Sequence, residues 1–310
     1  MTDEGARWDS PYHAPVMVDS VVAHLRGAER ILDGTLGGGG HAAALLSAGS
    51  AVDGIDLDLD ALAAARRRLG DAGGRFRAVQ GNYADIDRVP ELAGQHYDGV
   101  LLDLGLSSHQ IDDPARGFSF RPGVPLDMRM HTDASVDARA VLNDSDERTL
   151  IDIFRSYGDE PRAARLAREV VRRRRNSPFA TSDDLVGAIR GALGPRTGPG
   201  DFARLFQAIR IAVNGELERL PDALVALRDR LNPGGRFVII AYHSGEDRIV
   251  KNAFRDWSVA CTCPPLAPRC TCGAIARGRV LTKKAERPSV EETEHNPRAR
   301  SARLRAWVSA

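Results

Sequence analysis

A glycine run flanked by acids is the feature of this sequence that points most directly to chemistry. It reads DGTLGGGGH over residues 33–41 and joins an apolar run to an alanine-rich helical pattern. Four consecutive glycines let the backbone turn sharply and let a ligand approach main-chain N–H groups that a Cβ would block. A second apolar run ends about 20 residues after the first glycine, at Asp56, where a carboxylate can accept hydrogen bonds from ribose hydroxyls. The pattern predicts a nucleoside-cofactor pocket.

The kind of nucleoside cofactor follows from what surrounds the glycines. The run lacks the lysine of a G-x-x-x-x-G-K-[ST] phosphate loop, which argues against ATP or GTP. Asp33 directly precedes the glycines, where it would repel the pyrophosphate of a dinucleotide but suit the sulfonium and amino group of S-adenosylmethionine. An ordinary glycine-rich turn with two capping acids is the alternative. We expect methyl transfer.

The spacing of apolar runs indicates which elements position these residues. Five strand-like runs, at 30–33, 51–56, 75–80, 97–104 and 236–242, alternate with helical patterns, as in a mainly parallel α/β sheet. Between the fourth and fifth runs only helical patterns occur, including 162–175 and 201–220. After the fifth come a helix at 246–257 and two more strands at 279–283 and 302–308.

We therefore predict a Rossmann-like methyltransferase fold with an inserted all-helical subdomain. The expected division places the first part of the methyltransferase domain at 1–112 and the helical, substrate-binding insertion at 113–200. The second part occupies 201–310 and carries a Cys-rich loop at 261–272 and a basic C-terminal tail.

Polar side chains follow the fourth and fifth strands, at the sheet edge where ligands of α/β proteins bind. Asp103 is the strongest of them, because it follows a continuous apolar strand and a glycine comes shortly after it. For His243 the alternative is helix capping, since acids suited to a first helical turn follow it. The candidate catalytic residues are Asp103, Ser107, Ser108, Asp127 and His243.

Phenylalanines and arginines share a loop that follows the fourth strand. Such side chains can stack on an unpaired base and clamp phosphates, although aromatic residues in loops ordinarily anchor the loop to a core. An arginine-rich helix and the C-terminal tail add local basic charge to a chain whose net charge is only +1. The candidate RNA-binding residues are Arg116, Phe118, Phe120, Arg129, Arg172, Arg173, Arg298 and Arg300.

All four cysteines lie in one segment, as two C-x-C pairs formed by Cys261, Cys263, Cys270 and Cys272. Four thiolates can hold a tetrahedral structural zinc, but the usual spacing is C-x-x-C. Free or redox-labile thiols are therefore at least as well supported as zinc or another thiophilic metal.

The bulk composition, at 310 residues with 43% hydrophobic and 27% charged residues, is that of a globular protein with an ample core. We expect a cytoplasmic location and no membrane association, because the sequence has no long apolar stretch and an acidic start unlike a secretory signal. A homodimer is compatible with the sequence.

The glycine run and the acids described above, with further strings at 101–108, 116–120 and 126–130, identify a family resemblance. The chain is similar, nearly end to end, to the ribosomal small-subunit RNA (cytosine-N4-)methyltransferases, the RsmH or MraW family. One departure is at 242–247, where this chain has Tyr-His-Ser-Gly-Glu-Asp and the family usually has Phe-His-Ser-Leu-Glu-Asp.

The resemblance implies a class I methyltransferase fold, S-adenosylmethionine as methyl donor, and a cytidine in the decoding region of 16S rRNA, in the small ribosomal subunit, as target. It places cofactor contacts on residues that, with Asp33, form the candidate cofactor site: Gly39, Gly40, His41, Asp56, Tyr83, Asp103 and Gln110. Tyr83 would lie against the adenine ring.

We hypothesise that Asp103 or the Ser107 and Ser108 hydroxyls accept hydrogen bonds from the cytosine amino group, with Asp127 and His243 as second choices. Two other functions stay open. One is a non-catalytic RNA-binding or ribosome-assembly factor that retains a nucleoside pocket, and the other is a DNA or small-molecule methyltransferase.

Overall fold

The sheet that carries the predicted site has seven strands in the described part of the chain. The computed structural model describes residues 8–9, 14–106, 108–130, 134–261, 263 and 271–310, with only the backbone described at 108 and 109. The strands are β1 Arg30–Asp33, β2 Ala51–Asp56, β3 Phe76–Gln80, β4 Tyr97–Asp103, β5 Leu231–Ala241, β6 Gly278–Val280 and β7 Arg303–Ser309.

The strand order is β3-β2-β1-β4-β5-β7-β6. Strands β1 to β5 are parallel, and β7 runs antiparallel between β5 and β6. The order reverses between β1 and β4, and in such sheets a crevice for ligands forms at this point, outside the carboxyl ends of the strands. The predicted mainly parallel, Rossmann-like sheet is confirmed.

Helices of at least five residues precede, connect and follow these strands. They are α1 Val18–His24, α2 Gly40–Ser47, α3 Leu59–Leu69, α4 Ser108–Asp112, α5 Ala138–Asp144, α6 Glu147–Ser156, α7 Ala163–Arg174, α8 Ser182–Leu193, α9 Pro199–Asn214, α10 Glu216–Arg228, α11 Ser244–Trp257 and α12 Val290–His295. None of the described helices is both long and apolar enough to cross a membrane.

Both faces of the sheet are buried, which explains why its strands are nearly continuous apolar runs. Along β1, Ile31 belongs to one hydrophobic core and Leu32 to the other. The same alternation in β5 places Val238 in the first core and Phe237 in the second. Strand β5 begins at Leu231, earlier than the predicted 236, because Leu231 already pairs with Tyr97 of β4.

The chain divides into two compact units, one formed by Met1–Gly105 with Arg219–Ala310 and the other by Leu106–Glu218. The second unit contains helices and an isolated bridge but no strand among its described residues. The unit runs from 106 to 218, whereas the insertion was predicted at 113–200. Helix α9 belongs to this unit because its apolar face, including Phe202 and Leu205, packs in the same core as Phe154 of α6.

The predicted helix at 201–220 is in fact two helices. Gly215 follows α9 with φ 59°, a left-handed conformation that ends the helix, and α10 begins at the next residue. The apolar periodicity continues across this break, so it does not reveal where one helix stops.

Candidate active site

The glycine turn lies between β1 and α2, and neighbouring side chains leave no room for a Cβ at Gly34 or Gly40. A Cβ at Gly34 would lie 2.5 Å from Cδ2 of Leu102, and one at Gly40 would lie 2.8 Å from Cγ of Pro15. The amide of Gly34 donates to the carbonyl of Leu101, which fixes the start of the turn against β4. Close packing therefore requires glycine at these two positions.

Gly39 combines a left-handed backbone, φ 76°, with close packing against α3, where its Cβ would lie 3.0 Å from Leu69 and 3.3 Å from Ala65. We expect Gly39→Ala to lower the free energy of unfolding by roughly 2 kcal/mol or more, because backbone strain and steric contact add. Gly73, with φ 69° and open space around it, is the matched control, and Gly73→Ala should cost only the strain of roughly 1 kcal/mol. Urea unfolding would measure both, and equal losses would contradict the steric argument.

Asp56 ends β2 and holds the glycine turn by its carboxylate. Its Oδ2 accepts from the amide of Gly37 at 2.8 Å, and its Oδ1 accepts from the amide of Asp58 at 2.9 Å. Burial raises the pKa of Asp56 although these amides oppose the shift. Because each carboxylate oxygen can accept more than one hydrogen bond, these contacts are compatible with the predicted ribose contact.

Asp33 is a buried acid at the end of β1, only 1% exposed. Its Oδ1 accepts from the amide of Thr35 at 3.2 Å, whereas its Oδ2 is buried and has no hydrogen-bond partner in the described part of the chain. Burial, and to a smaller extent the charges of Asp103 and Asp56, raise the pKa of Asp33 to about 7. A buried carboxyl oxygen without a partner is costly, so this one indicates a missing donor or cation.

Asp103, at the end of β4, contacts side chains from several surrounding segments. Its amide donates to the hydroxyl of Thr35 at 2.6 Å, and its Oδ1 accepts from the hydroxyl of Tyr242 at 2.8 Å. Its Oδ2 lies 3.8 Å from Nδ1 of His41. The other ring nitrogen of His41, Nε2, lies 2.8 Å from the carbonyl oxygen of Val16, so Nε2 carries the proton.

The carboxyls near this strand edge repel one another. The charge of Asp103 contributes to the raised pKa of Asp33, and it also contributes to that of Glu292 of α12, for which burial is the largest cause. A cationic ligand would relieve this repulsion, and the glycine turn offers it close approach to the backbone. The orphaned oxygen of Asp33 and the acidic surroundings thus fit the sulfonium and amino group of S-adenosylmethionine.

A mainly parallel sheet with this strand order, a glycine turn after β1 and acids at the ends of β1, β2 and β4 define a class I S-adenosylmethionine-dependent methyltransferase. The model of the MraW methylase family matches residues 10–309. The chain therefore belongs to the MraW methylase family.

Individual relatives agree over nearly the full length. The chain is 58% identical over 301 residues to the ribosomal RNA small subunit methyltransferase H of Gemmatimonas aurantiaca, covering 96% of each chain. It is 46% identical over 309 residues to the protein of the same name from Syntrophus aciditrophicus, covering 95% of this chain and 96% of the relative. Among solved structures, an rRNA methylase from Streptococcus thermophilus has a TM-score of 0.41 and 12% identity, with coverage of 94% and 93%.

Two further predicted residues of the first unit have defined places. Tyr83 opens the short 3-10 helix after β3 and lies beside the glycine turn, since a Cβ at Gly34 would be 3.2 Å from its Cβ. His243 caps α11, with its Nδ1 accepting from the amides of Gly245 and Glu246. The capping alternative for His243 is therefore observed, and its catalytic role stays a prediction.

In the second unit, Asp127 is engaged by Arg129 through paired hydrogen bonds of 2.8 Å to its two oxygens. These bonds are the main reason that the pKa of Asp127 is lowered. Asp127 is thus an ionised partner of Arg129, and both of its oxygens already accept hydrogen bonds. Gln110 lies on α4. Two predicted catalytic groups, Ser107 and the side chain of Ser108, lie outside the described residues.

The predicted base-stacking phenylalanines pack against the core of the helical unit. The ring of Phe120 lies 6.0 Å from that of Phe202 and 6.1 Å from that of Phe206, between ring centroids. Phe118 is half-buried, and the guanidinium of Arg116 lies 6.0 Å from its centroid. Phe120 therefore anchors its loop to the core, which was the alternative to base stacking.

The basic face predicted on α7 contains an acid that sequence reasoning missed. Arg172 and Arg173 both bind Glu169, with shortest distances of 2.7 Å, and these contacts lower the pKa of Glu169 to about 2. Arg298 and Arg300 are exposed on the 3-10 helix Pro297–Ser301 of the other unit. The i, i+3 and i+4 spacing from Glu169 is the signal that could have revealed the pairing.

The cysteine segment brings three thiols together. The sulfurs of Cys261, Cys263 and Cys272 all lie within 4.8 Å of one another. The amide of Thr271 donates to Sγ of Cys263 at 3.3 Å, and this bond is the first cause of the lowered pKa of Cys263. Cys270, the fourth predicted ligand, lies outside the described residues.

Proposed function

We propose that this protein transfers a methyl group from S-adenosylmethionine to the exocyclic N4 of a cytidine in the decoding region of 16S rRNA. The observation that carries the cofactor assignment is the buried Asp33, whose Oδ2 has no partner among the described residues. Membership of the MraW methylase family and the relatives named ribosomal RNA small subunit methyltransferase H support the substrate.

The cytosine N4 is a weak nucleophile because its lone pair is delocalised into the ring, so the protein must increase its reactivity. When bound, S-adenosylmethionine supplies a methyl group made electrophilic by the sulfonium. Asp103 would accept a hydrogen bond from the amino group and stabilise the positive charge that develops on nitrogen, which would then release one proton to solvent, with S-adenosylhomocysteine as the other product. Asp33 would hold the charged end of the cofactor, Asp56 the ribose hydroxyls and Tyr83 the adenine ring.

Substrate binding would depend on local charge. Arg298 and Arg300 are exposed in the first unit, and Arg116 and Arg172 extend the set of arginines in the second. Contacts of such residues with phosphates would supply affinity for the small ribosomal subunit, with a salt dependence that reports their number. We place this reaction in the cytoplasm, and the predicted homodimer stays a prediction.

Labelled S-adenosylmethionine offered to several acceptors would test the proposal. We expect label to enter small subunits that lack the modification, or their 16S rRNA, and not duplex DNA or small amines. Label in DNA or an amine alone would support the alternative methyltransferase. Cofactor binding without transfer to any acceptor would instead support an assembly factor that retains the pocket.

We also propose that Cys261, Cys263 and Cys272, with Cys270, hold a structural zinc ion. The clustered sulfurs and the amide-to-sulfur bond support thiolate ligation, and no catalytic step is assigned to the metal. We expect about one zinc per chain by elemental analysis, lost in Cys263→Ser together with thermal stability. Thr271→Ser is the control, because it keeps the donating amide. If the wild-type protein contains no zinc, Cys263→Ser unfolds at the same temperature and the thiols can be oxidised, this proposal is overturned in favour of a redox-labile cluster.

A further inference from the structure

The carboxylate of Asp103 has a hydrogen-bond donor that no step of the proposed reaction uses. The hydroxyl of Tyr242, the first residue after β5, lies 2.8 Å from Asp103 Oδ1. The two residues are 139 positions apart and meet because β4 and β5 pair in parallel, with Asp103 opposite Ile240. The contact thus depends on the central pairing of the sheet.

The ring that carries this hydroxyl packs against a hydrophobic core and lies near Gly105. It packs against the core beneath the sheet, and a Cβ at Gly105, which has φ 105°, would lie 3.4 Å from Cδ2 of Tyr242. The amide of Tyr242 donates at 2.9 Å to Oε2 of Glu246, the acid of the capping box of α11. A residue whose amide is hydrogen-bonded and whose ring packs against the core presents its hydroxyl in one place.

The hydroxyl of Tyr242 is protonated near neutral pH and can therefore donate to Asp103. Burial and the negative charge of Asp103 raise the pKa of Tyr242 well above 10, so the phenol keeps its proton. The side chain of Asp103 is only 9% exposed, which limits the access of water that could replace the phenol as donor.

We propose that Tyr242 is a positioning residue that fixes the orientation of the Asp103 carboxylate, an inference that rests on the function proposed for Asp103. With Oδ1 held by the phenol, Oδ2 is directed to the side where Nδ1 of His41 lies at 3.8 Å.

Tyr242→Phe removes the hydroxyl and keeps the ring, and Asp103→Asn removes the carboxylate charge on which it acts. We expect Tyr242→Phe to lower cofactor affinity or kcat roughly tenfold, the size of one hydrogen bond to a charged group. In the Asp103→Asn background the same substitution should have little further effect, because coupled residues are not additive. Calorimetric titration with S-adenosylmethionine gives the affinities independently of turnover.

Tyr157→Phe is the matched control, because it removes another tyrosine–carboxylate bond, 2.9 Å to Glu218 Oε1, in the helical unit. It should leave affinity and kcat unchanged, and thermal unfolding of each variant separates folding defects from positioning. Wild-type affinity and kcat in Tyr242→Phe, or effects that add fully to those of Asp103→Asn, would overturn the inference. If the wild-type protein itself neither binds the cofactor nor transfers methyl groups, the proposed function fails instead.

Discussion

Replacing Asp33 with asparagine is expected to weaken binding of S-adenosylmethionine at pH 8 by about tenfold or more and to flatten its pH dependence. The pKa of Asp33 is raised to about 7, chiefly by burial. A cationic ligand binds the ionised form better, so affinity of the wild-type protein should rise with pH. If only the ionised form binds, the apparent Kd falls roughly tenfold between about pH 6 and pH 8.

Calorimetric titrations of the wild-type and Asp33→Asn proteins over this pH range would measure the effect. Titration of the ligand's own amino group affects both proteins equally, so the difference between them reports Asp33. S-adenosylhomocysteine lacks the sulfonium charge and should show a smaller dependence. An affinity of the wild-type protein that stays constant from pH 6 to 8 would contradict the assignment.

Asp33→Asn should weaken cofactor binding but increase the stability of the ligand-free protein at pH 8. A carboxyl whose pKa is raised on folding stabilises the folded state fully below its unfolded pKa, near 4, and this contribution is lost as the pH rises through about 7. Without ligand, Asp33→Asn should therefore be more stable than the wild-type protein at pH 8, by roughly 2–4 kcal/mol. Equal unfolding free energies at pH 8 would show that Asp33 is not a buried charge there.

Replacing Asp103 with alanine is expected to reduce methyl transfer roughly a hundredfold or more. Its carboxylate lies at the end of β4, where Thr35 and Tyr242 fix it, and no other acid of the first unit is proposed to contact the target amino group. Loss of one such preorganised polar group typically costs this much in kcat. Single-turnover transfer to unmodified small subunits, at saturating cofactor, separates this effect from weaker cofactor binding.

Asp256→Ala is a suitable control for Asp103→Ala, because Asp256 is an exposed acid paired with its neighbour Arg255. It should transfer methyl groups at the wild-type rate. If Asp103→Ala also does so, and binds cofactor normally, the acceptor must be another group, with the untested Ser107 and Ser108 hydroxyls next in order.

Much of the sheet could be predicted because its strands are buried on both faces. Strands β1 and β2 have the predicted limits, since short apolar runs between turns leave few alternatives. The limits of the helical unit could not be predicted in this way. The apolar face of helix α9 does not indicate which unit the helix packs against. Only the structure shows that Phe202 shares a core with Phe154.

The acids of the site follow from strand ends, so Asp33, Asp56 and Asp103 were accessible to sequence reasoning. Tyr242 and Glu292 were not identified, because their relation to Asp103 depends on strand pairing and on the path of a distant segment. No local pattern encodes such contacts. The pairing of Asp127 with Arg129 was missed for a similar reason, because in a loop the backbone path decides whether neighbouring charges meet.

The central claim is methylation of cytidine on N4, and nucleoside analysis of the reaction product tests it most directly. Small subunits that lack the modification would be incubated with the protein and labelled S-adenosylmethionine, and their 16S rRNA then digested to nucleosides for mass spectrometry. We predict that the label is recovered in cytidine methylated on the base at N4. Label recovered on a ribose oxygen, on carbon 5 of the base or in another nucleoside would contradict the account.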